Sequence, residues 1–127
     1  MNIESLPPLV VAAVEDIFFS TRIETVARRS GVRLELALDA QQLHQFLAQE
    51  VPDLIVMDLN SRTCAPIDSV RRIKADPRLA GIRIIGFFSH VQVELERAAR
   101  AAGCDQVIAR SAFTAKLQDI ITGSRKR

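Results

Sequence analysis

Two periods of hydrophobicity alternate along this chain. The run from Leu9 to Val14 is apolar at every position, as in a strand covered on both faces. Beyond it, Phe19, Ile23, Val26 and Ala27 recur at helical spacing, and Gly31 closes that segment as a C-cap residue. Val32 to Leu36 alternates, which predicts a strand with one more exposed face at a sheet edge. Asp39 can cap a helix carrying Leu43, Phe46 and Leu47, and Pro52 breaks it. Leu54-Ile55-Val56-Met57 reads as another buried strand, and Pro66 suits the first turn of a helix with Ile67, Val70 and Ile73 on one face. Pro77 stops that helix, and a buried strand from Ile82 to Phe88 follows. Leu95, Ala98, Ala99 and Ala102 mark a helix ending at Gly103, and Val107-Ile108-Ala109 is short and apolar. Ser111 can cap a last helix carrying Phe113, Leu117, Ile120 and Ile121, with Gly123 past its end.

Five strands thus alternate with five helices. Strict alternation predicts an α/β fold, a doubly wound parallel sheet with helices on both faces, built by right-handed crossovers. The length of 127 residues suits one domain, with a core over about 9–122 and loose ends. An apolar fraction of 48% beside a charged fraction of 25% excludes disorder for the bulk of the chain. A net charge of +2 argues against a strongly electrostatic nucleic-acid binder, although Arg125-Lys126-Arg127 is a small basic run. Cys64, Cys104, His44 and His90 fall in no metal-ligand spacing, so a zinc site is not expected. Glu15 and Asp16 interrupt the first apolar run before it could serve as a signal peptide or membrane span. The expectation is a soluble, cytoplasmic domain without membrane contact.

In a doubly wound sheet, chemistry sits in the loops at the carboxyl ends of the strands. The first strand ends in Glu15-Asp16, the third in Asp58 with Asn60 two residues on, the fourth in Ser89-His90 and the fifth in Arg110-Ser111. Carboxylates that converge repel one another unless a cation is present, and a hard divalent ion such as Mg²⁺ resolves the conflict through oxygen ligands. A phosphoryl group there would gain charge neutralisation from the metal, from Arg110 and from the Ser89 hydroxyl. The chemistry that fits is phosphoryl transfer onto a carboxylate, with Asp58 as acceptor because the end of a buried strand holds it rigidly.

These residues carry a resemblance to the receiver domains of two-component response regulators. Val14-Glu15-Asp16 matches the acidic pair of that family and Val56-Met57-Asp58-Leu59 the phosphoacceptor strand. Ile73-Lys74-Ala75-Asp76-Pro77 matches the end of the third helix, Ser89 the switch Thr or Ser, and Gly103-Cys104-Asp105 a Gly-Ala-Asp. The resemblance spans about residues 9–122 and implies a flavodoxin-like (βα)5 sheet of strand order 2-1-3-4-5. It further implies Mg²⁺ held by Glu15, Asp16, Asp58 and the Asn60 carbonyl, and a phosphoryl group on Asp58 sensed by Ser89 and Arg110. The implied partners are a sensor histidine kinase or small phosphodonor and a downstream protein bound through the fourth helix, fifth strand and fifth helix. The chain also departs from the family. Arg110 stands for its Lys, Ser111 for its cis-proline, Val107 for its aromatic switch, and Ser61-Arg62 for its Met-Pro. Arg keeps the charge but not the compact ammonium geometry.

Blander readings stand beside these. Asp58 could cap its loop, Glu15-Asp16 could be a solvated strand end, Ser89 could start a helix, and Arg110 could simply pair with Asp58 or Asp16. The joint loss of Lys, Pro and the aromatic leaves open a pseudo-receiver, the same fold used as an interaction module indifferent to phosphate. Ser89-His90 lacks the third orienting group of a nucleophile–base pair. Cys64 reads as a loop thiol, Cys104 as a small core residue, and His44 as a bystander on a polar helical face. The five glycines compose no dinucleotide fingerprint or phosphate loop, and no nucleophile elbow is present, so an enzyme is not expected.

Overall fold

A computed structural model describes residues 6–90 and 92–123. The elements are β1 (Leu9–Ala13), α1 (Ile17–Arg29), β2 (Arg33–Ala37), α2 (Ala40–Gln49), β3 (Leu54–Asp58) and α3 (Pro66–Ala75), followed by β4 (Arg83–Phe88), α4 (Val93–Ala102), β5 (Gln106–Ala109), α5 (Arg110–Ala115) and α6 (Leu117–Gly123). The five strands form one parallel sheet in the order β2-β1-β3-β4-β5. This is the flavodoxin-like order expected, and β2 is the edge strand its alternating pattern called for.

The side-chain period of two along each strand divides the core into two layers. On one face Val11, Ala13, Ile55, Met57 and Ile84 pack against Leu43 and Leu47 of α2, Val70 and Ile73 of α3 and Ala99 of α4. On the other, Val10, Ala12, Val56, Ile85 and Phe87 pack against Phe19 and Ile23 of α1, Phe113 of α5 and Leu117 and Ile121 of α6. β1 and β3 are buried at every position, which is why they read as unbroken apolar runs. The register sets Asp58 beside Phe87 and Ala13 beside Met57, so the strand ends fall level at one edge of the sheet.

The helix ends follow local chemistry. Asp39 accepts a hydrogen bond from the Gln42 N–H at 2.8 Å and caps α2. Pro66 occupies the first turn of α3. Gly31, at φ 68°, makes the left-handed turn after α1 that costs an L side chain energy.

Two expectations need correction. The single C-terminal helix is two segments, broken at Lys116, and Ser111 lies inside α5 rather than at its cap; Ala109 holds the cap position with no side-chain bond. Ser89 does not start α4, because the β4–α4 loop runs on to Gln92. Cys64 does lie in a loop but is fully buried. The Ser61 hydroxyl accepts from its N–H at 3.0 Å, and its thiol donates to the Ala37 carbonyl at 3.9 Å. Of the expected loose ends, 1–8 and about 123–127, residues 1–5 and 124–127, the basic run included, lie outside the described residues. Among the described residues no helix is long and apolar enough to cross a membrane.

Candidate functional site

The carboxyl ends of β1, β3, β4 and β5 converge on one crevice. Asp16 caps α1, its Oδ1 accepting from the N–H groups of Phe18 at 2.9 Å and Phe19 at 3.2 Å. Its other oxygen pairs with Nη2 of Arg110, the first residue of α5, at 3.0 Å. The Arg110 guanidinium, chiefly, together with these amides, holds the Asp16 carboxyl below its ordinary pKa. The guanidinium also lies over the Phe19 ring, 4.1 Å from its centroid. Phe19 in turn contacts Phe87 and Phe113, whose rings stack at 4.8 Å. Arg110 is therefore held on two sides, by a carboxylate and by an aromatic platform.

Glu15 turns away from this pair. Its Oε1 accepts from the Ser61 hydroxyl at 2.8 Å, the Arg62 N–H at 2.8 Å, and the N–H and hydroxyl of Thr63, both at 3.4 Å. These donors, Ser61 first, lower its pKa. The β3–α3 loop is thereby folded onto Glu15 and held from beneath by Ser61, which is itself buried.

Asp58 ends β3 with 8% of its surface exposed. Its Oδ1 accepts from the Asn60 N–H at 3.0 Å. Burial raises its pKa; the Asn60 N–H and the Arg110 charge oppose this, and the nearby charges of Glu15 and Asp16 add to it. Asn60 ties the crevice across to β4: its side-chain oxygen accepts from the Ser89 N–H at 2.6 Å, and its amide reaches the Gln92 oxygen at 3.4 Å. Ser89 thus reaches the site through its backbone, and both Ser89 and His90 are exposed.

No family model and no curated protein matches this sequence. Solved structures do match. The chemotaxis response regulator CheY4 of Vibrio cholerae superposes with a TM-score of 0.81 at 14% identity, covering 93% of this chain and 98% of that one. The Mn²⁺-bound form of response regulator Rcp1 does so with 0.76 at 19% identity, over 92% and 91% of the two chains. The phosphorylated cyanobacterial phytochrome response regulator RcpA reaches 0.79 at 19% identity, over 94% and 92%. The chain has the receiver-domain fold.

On this receiver fold the crevice lies where the sequence puts it, and Glu15, Asp16, Asp58 and Arg110 are near enough for their charges to act on one another. Three features were not legible in the sequence: Ser61 and Thr63 as donors to Glu15, the Asn60 side chain as a tie to Ser89, and Phe19 as the platform of Arg110. The one signal available for the first was a pair of hydroxyl residues, Ser61 and Thr63, in the loop after the acceptor strand. Among the described residues no three His, Cys, Asp or Glu side chains are grouped as a metal site, and no buried side-chain nitrogen or oxygen lacks a hydrogen-bond partner.

Proposed function

We propose that this chain is a receiver-type signalling domain of the cytoplasm in which Asp58 accepts a phosphoryl group. The observation that carries the reading is a buried carboxylate of raised pKa at the end of a central strand, with the charges of two further carboxylates and one guanidinium acting on it. Burial makes the Asp58 oxygen more basic and so a better nucleophile, while strand β3 holds it still. In the transfer an Asp58 oxygen forms a bond to phosphorus as the P–N bond of a kinase phosphohistidine, or the P–O bond of a small phosphodonor, breaks. The leaving imidazole or carboxylate keeps the electron pair.

The donor chemistry fits a hard divalent cation such as Mg²⁺. Asp16, Asp58 and the Asn60 main-chain carbonyl would hold it, with Glu15 beside them, and all are oxygen donors. When bound, the cation supplies positive charge to the phosphoryl oxygens and relieves the repulsion among the carboxylates. Arg110 adds a fixed cation at the same crevice, and the exposed Ser89 hydroxyl is the candidate on the β4 side to bond a phosphoryl oxygen. Rcp1 is described with Mn²⁺ and RcpA as phosphorylated, which supports the same reading here. The signal would then leave by protein contact through the face of α4, β5 and α5, where Val93 is 59% exposed.

A second reading has its own observation. Because Asp16 is bonded to Arg110 and Glu15 to the 61–63 loop, two of the three crevice carboxylates already have protein partners, as suits a pseudo-receiver that works as an interaction module without phosphate. Incubation with acetyl phosphate and millimolar Mg²⁺, followed by intact mass, separates the two. The phosphoacceptor reading expects one added phosphoryl group that disappears in Asp58→Asn. No adduct at all refutes it in favour of the pseudo-receiver, and an adduct that survives Asp58→Asn refutes the assignment of the acceptor.

A further inference from the structure

Leading away from the crevice, α1 and the two C-terminal helices border a groove that carries one sign of charge. Phe18, Arg22 and Arg29 fall on one side of α1 by helical spacing, next to the buried stripe of Phe19, Ile23 and Ala27. Two hollows follow one another along that side. The first, of about 150 Å³, lies between Phe18, Arg22 and Thr114 of α5, with Arg110 at its crevice end. The second, of about 320 Å³, lies between Arg29 and the side chains of Gln118 and Thr122 in α6.

No carboxylate borders either hollow. Arg28 is paired with Glu24 at 3.2 Å and Arg110 with Asp16 at 3.0 Å. Among the described residues, no carboxylate lies within ion-pair distance of Arg22 or Arg29, and both are exposed. Phe18, at the end of the same line, is 88% exposed. Two open guanidiniums and an open aromatic ring in one line are complementary to an acidic chain carrying an apolar ring. The exposed Gln118 side chain makes no hydrogen bond among the described residues and so offers both a donor and an acceptor. A helix satisfies its own peptide groups and has no use for such an amide, whereas an extended segment does.

We propose that the groove between α1 and the α5–α6 pair binds an extended, acidic, proline-containing segment of a partner protein. Two carboxylates three residues apart meet Arg22 and Arg29, a proline ring lies on Phe18, and a backbone amide meets Gln118. The spacing sets this arrangement. Arg22 and Arg29 are seven residues apart on a helix, a rise of about 10.5 Å. A polyproline II segment turns once in three residues and rises about 9 Å in doing so, which puts positions i and i+3 on the same side. Phe18 lies one helical turn, about 6 Å, before Arg22, the reach of two more residues of such a segment. Aromatic rings in grooves commonly seat prolines held in this conformation. Binding here requires neither phosphate nor metal, so it holds for either reading of Asp58.

The test is fluorescence anisotropy of a labelled peptide, Pro-Ser-Glu-Pro-Ser-Glu, titrated with the full chain at low ionic strength. Arg22→Gln combined with Arg29→Gln is expected to weaken binding roughly threefold to thirtyfold, the scale of two exposed ion pairs. Arg72→Gln combined with Arg97→Gln removes the same charge from exposed positions of α3 and α4, across the sheet. That control is expected to stay within about twofold of the wild type, because charge at such range is screened. Phe18→Ser should weaken binding about threefold to tenfold without lowering Tm, since the ring lies outside the core. A peptide of the same composition with its glutamates adjacent is expected to bind at least about threefold more weakly. Absence of binding by the wild type overturns the proposal. So does an equal loss in the Arg72 and Arg97 double variant, which would reduce the effect to net charge. Equal binding of the rearranged peptide overturns the extended seat, and tighter binding of an oligothymidylate of matching charge assigns the groove to nucleic acid instead. Each of these results leaves the reading of Asp58 untouched.

Discussion

Replacing Asp58 by Asn should make the protein more stable at neutral pH. The carboxyl group is almost wholly buried, and burial raises its folded-state pKa above the ordinary 3.8, with Glu15 and Asp16 adding to the shift against the Asn60 N–H and Arg110. A carboxyl with a raised folded pKa binds its proton more tightly in the native state than in the unfolded one. Stability contributed by this group is therefore greatest below 3.8 and is lost as pH rises through the folded pKa. Asn keeps an oxygen where the Asn60 N–H at 3.0 Å can still donate to it, and it carries no charge to desolvate. Each tenfold difference in proton affinity between the folded and the unfolded carboxyl corresponds to about 1.4 kcal/mol. A gain of about 1 kcal/mol in a domain of this size raises Tm by roughly 3–5 °C. Thermal melts of the two proteins in metal-free buffer, from neutral pH down past 3.8, give the difference with the carboxylates remote from the crevice cancelling. The gain should shrink toward zero at the acid end. A variant no more stable than the wild type at neutral pH, or a gain that does not depend on pH, would refute the reasoning. Added Mg²⁺ should stabilise the wild type more than the variant, because binding to the native state adds stability.

Three further outcomes test the scaffold around the crevice. Phe113→Ala removes a fully buried ring stacked on Phe87 and should cost about 3–5 kcal/mol, read as a lowered urea midpoint. Ser61→Ala leaves the buried Cys64 N–H without its acceptor and Glu15 without its nearest hydroxyl donor. It should cost about 1–3 kcal/mol and speed amide exchange at Cys64. Because Ser61 and the loop amides lower the Glu15 pKa, the stability they lend through the charged carboxylate is lost as pH falls through that lowered value. Gly103→Ala combines a φ of 126° with a new Cβ 2.6 Å from Lys74 Cγ and should cost about 1–3 kcal/mol, seen as a drop in Tm. An unchanged Tm there would mean that the α4–β5 turn can relax without loss.

Much of the molecule was written locally. The unbroken apolar runs of β1 and β3, the alternation of β2, the cap of α2 by Asp39 and the proline at the start of α3 each depend on residues within one or two turns. Such contacts form wherever the chain goes. Alternation of the two periods implied the parallel sheet, and the sheet in turn implied that Glu15, Asp16, Asp58 and Arg110 would meet. Local signals misled where a second element intervened: Ser111 and Ser89 have the composition of caps, yet α5 starts one residue earlier than Ser111 and α4 starts beyond Gln92. What tertiary structure alone decided is the partner each charged group takes. Asp16 and Arg110 are 94 residues apart, Glu15 and Ser61 are 46 apart, and the ring beneath Arg110 comes from α1, at the other end of the chain. Hydrophobic periodicity specifies which face is buried and so which strand ends converge. It carries no information on which carboxylate a guanidinium will face, because that depends on distances of an ångström set by sheet register, helix start and side-chain rotamer together.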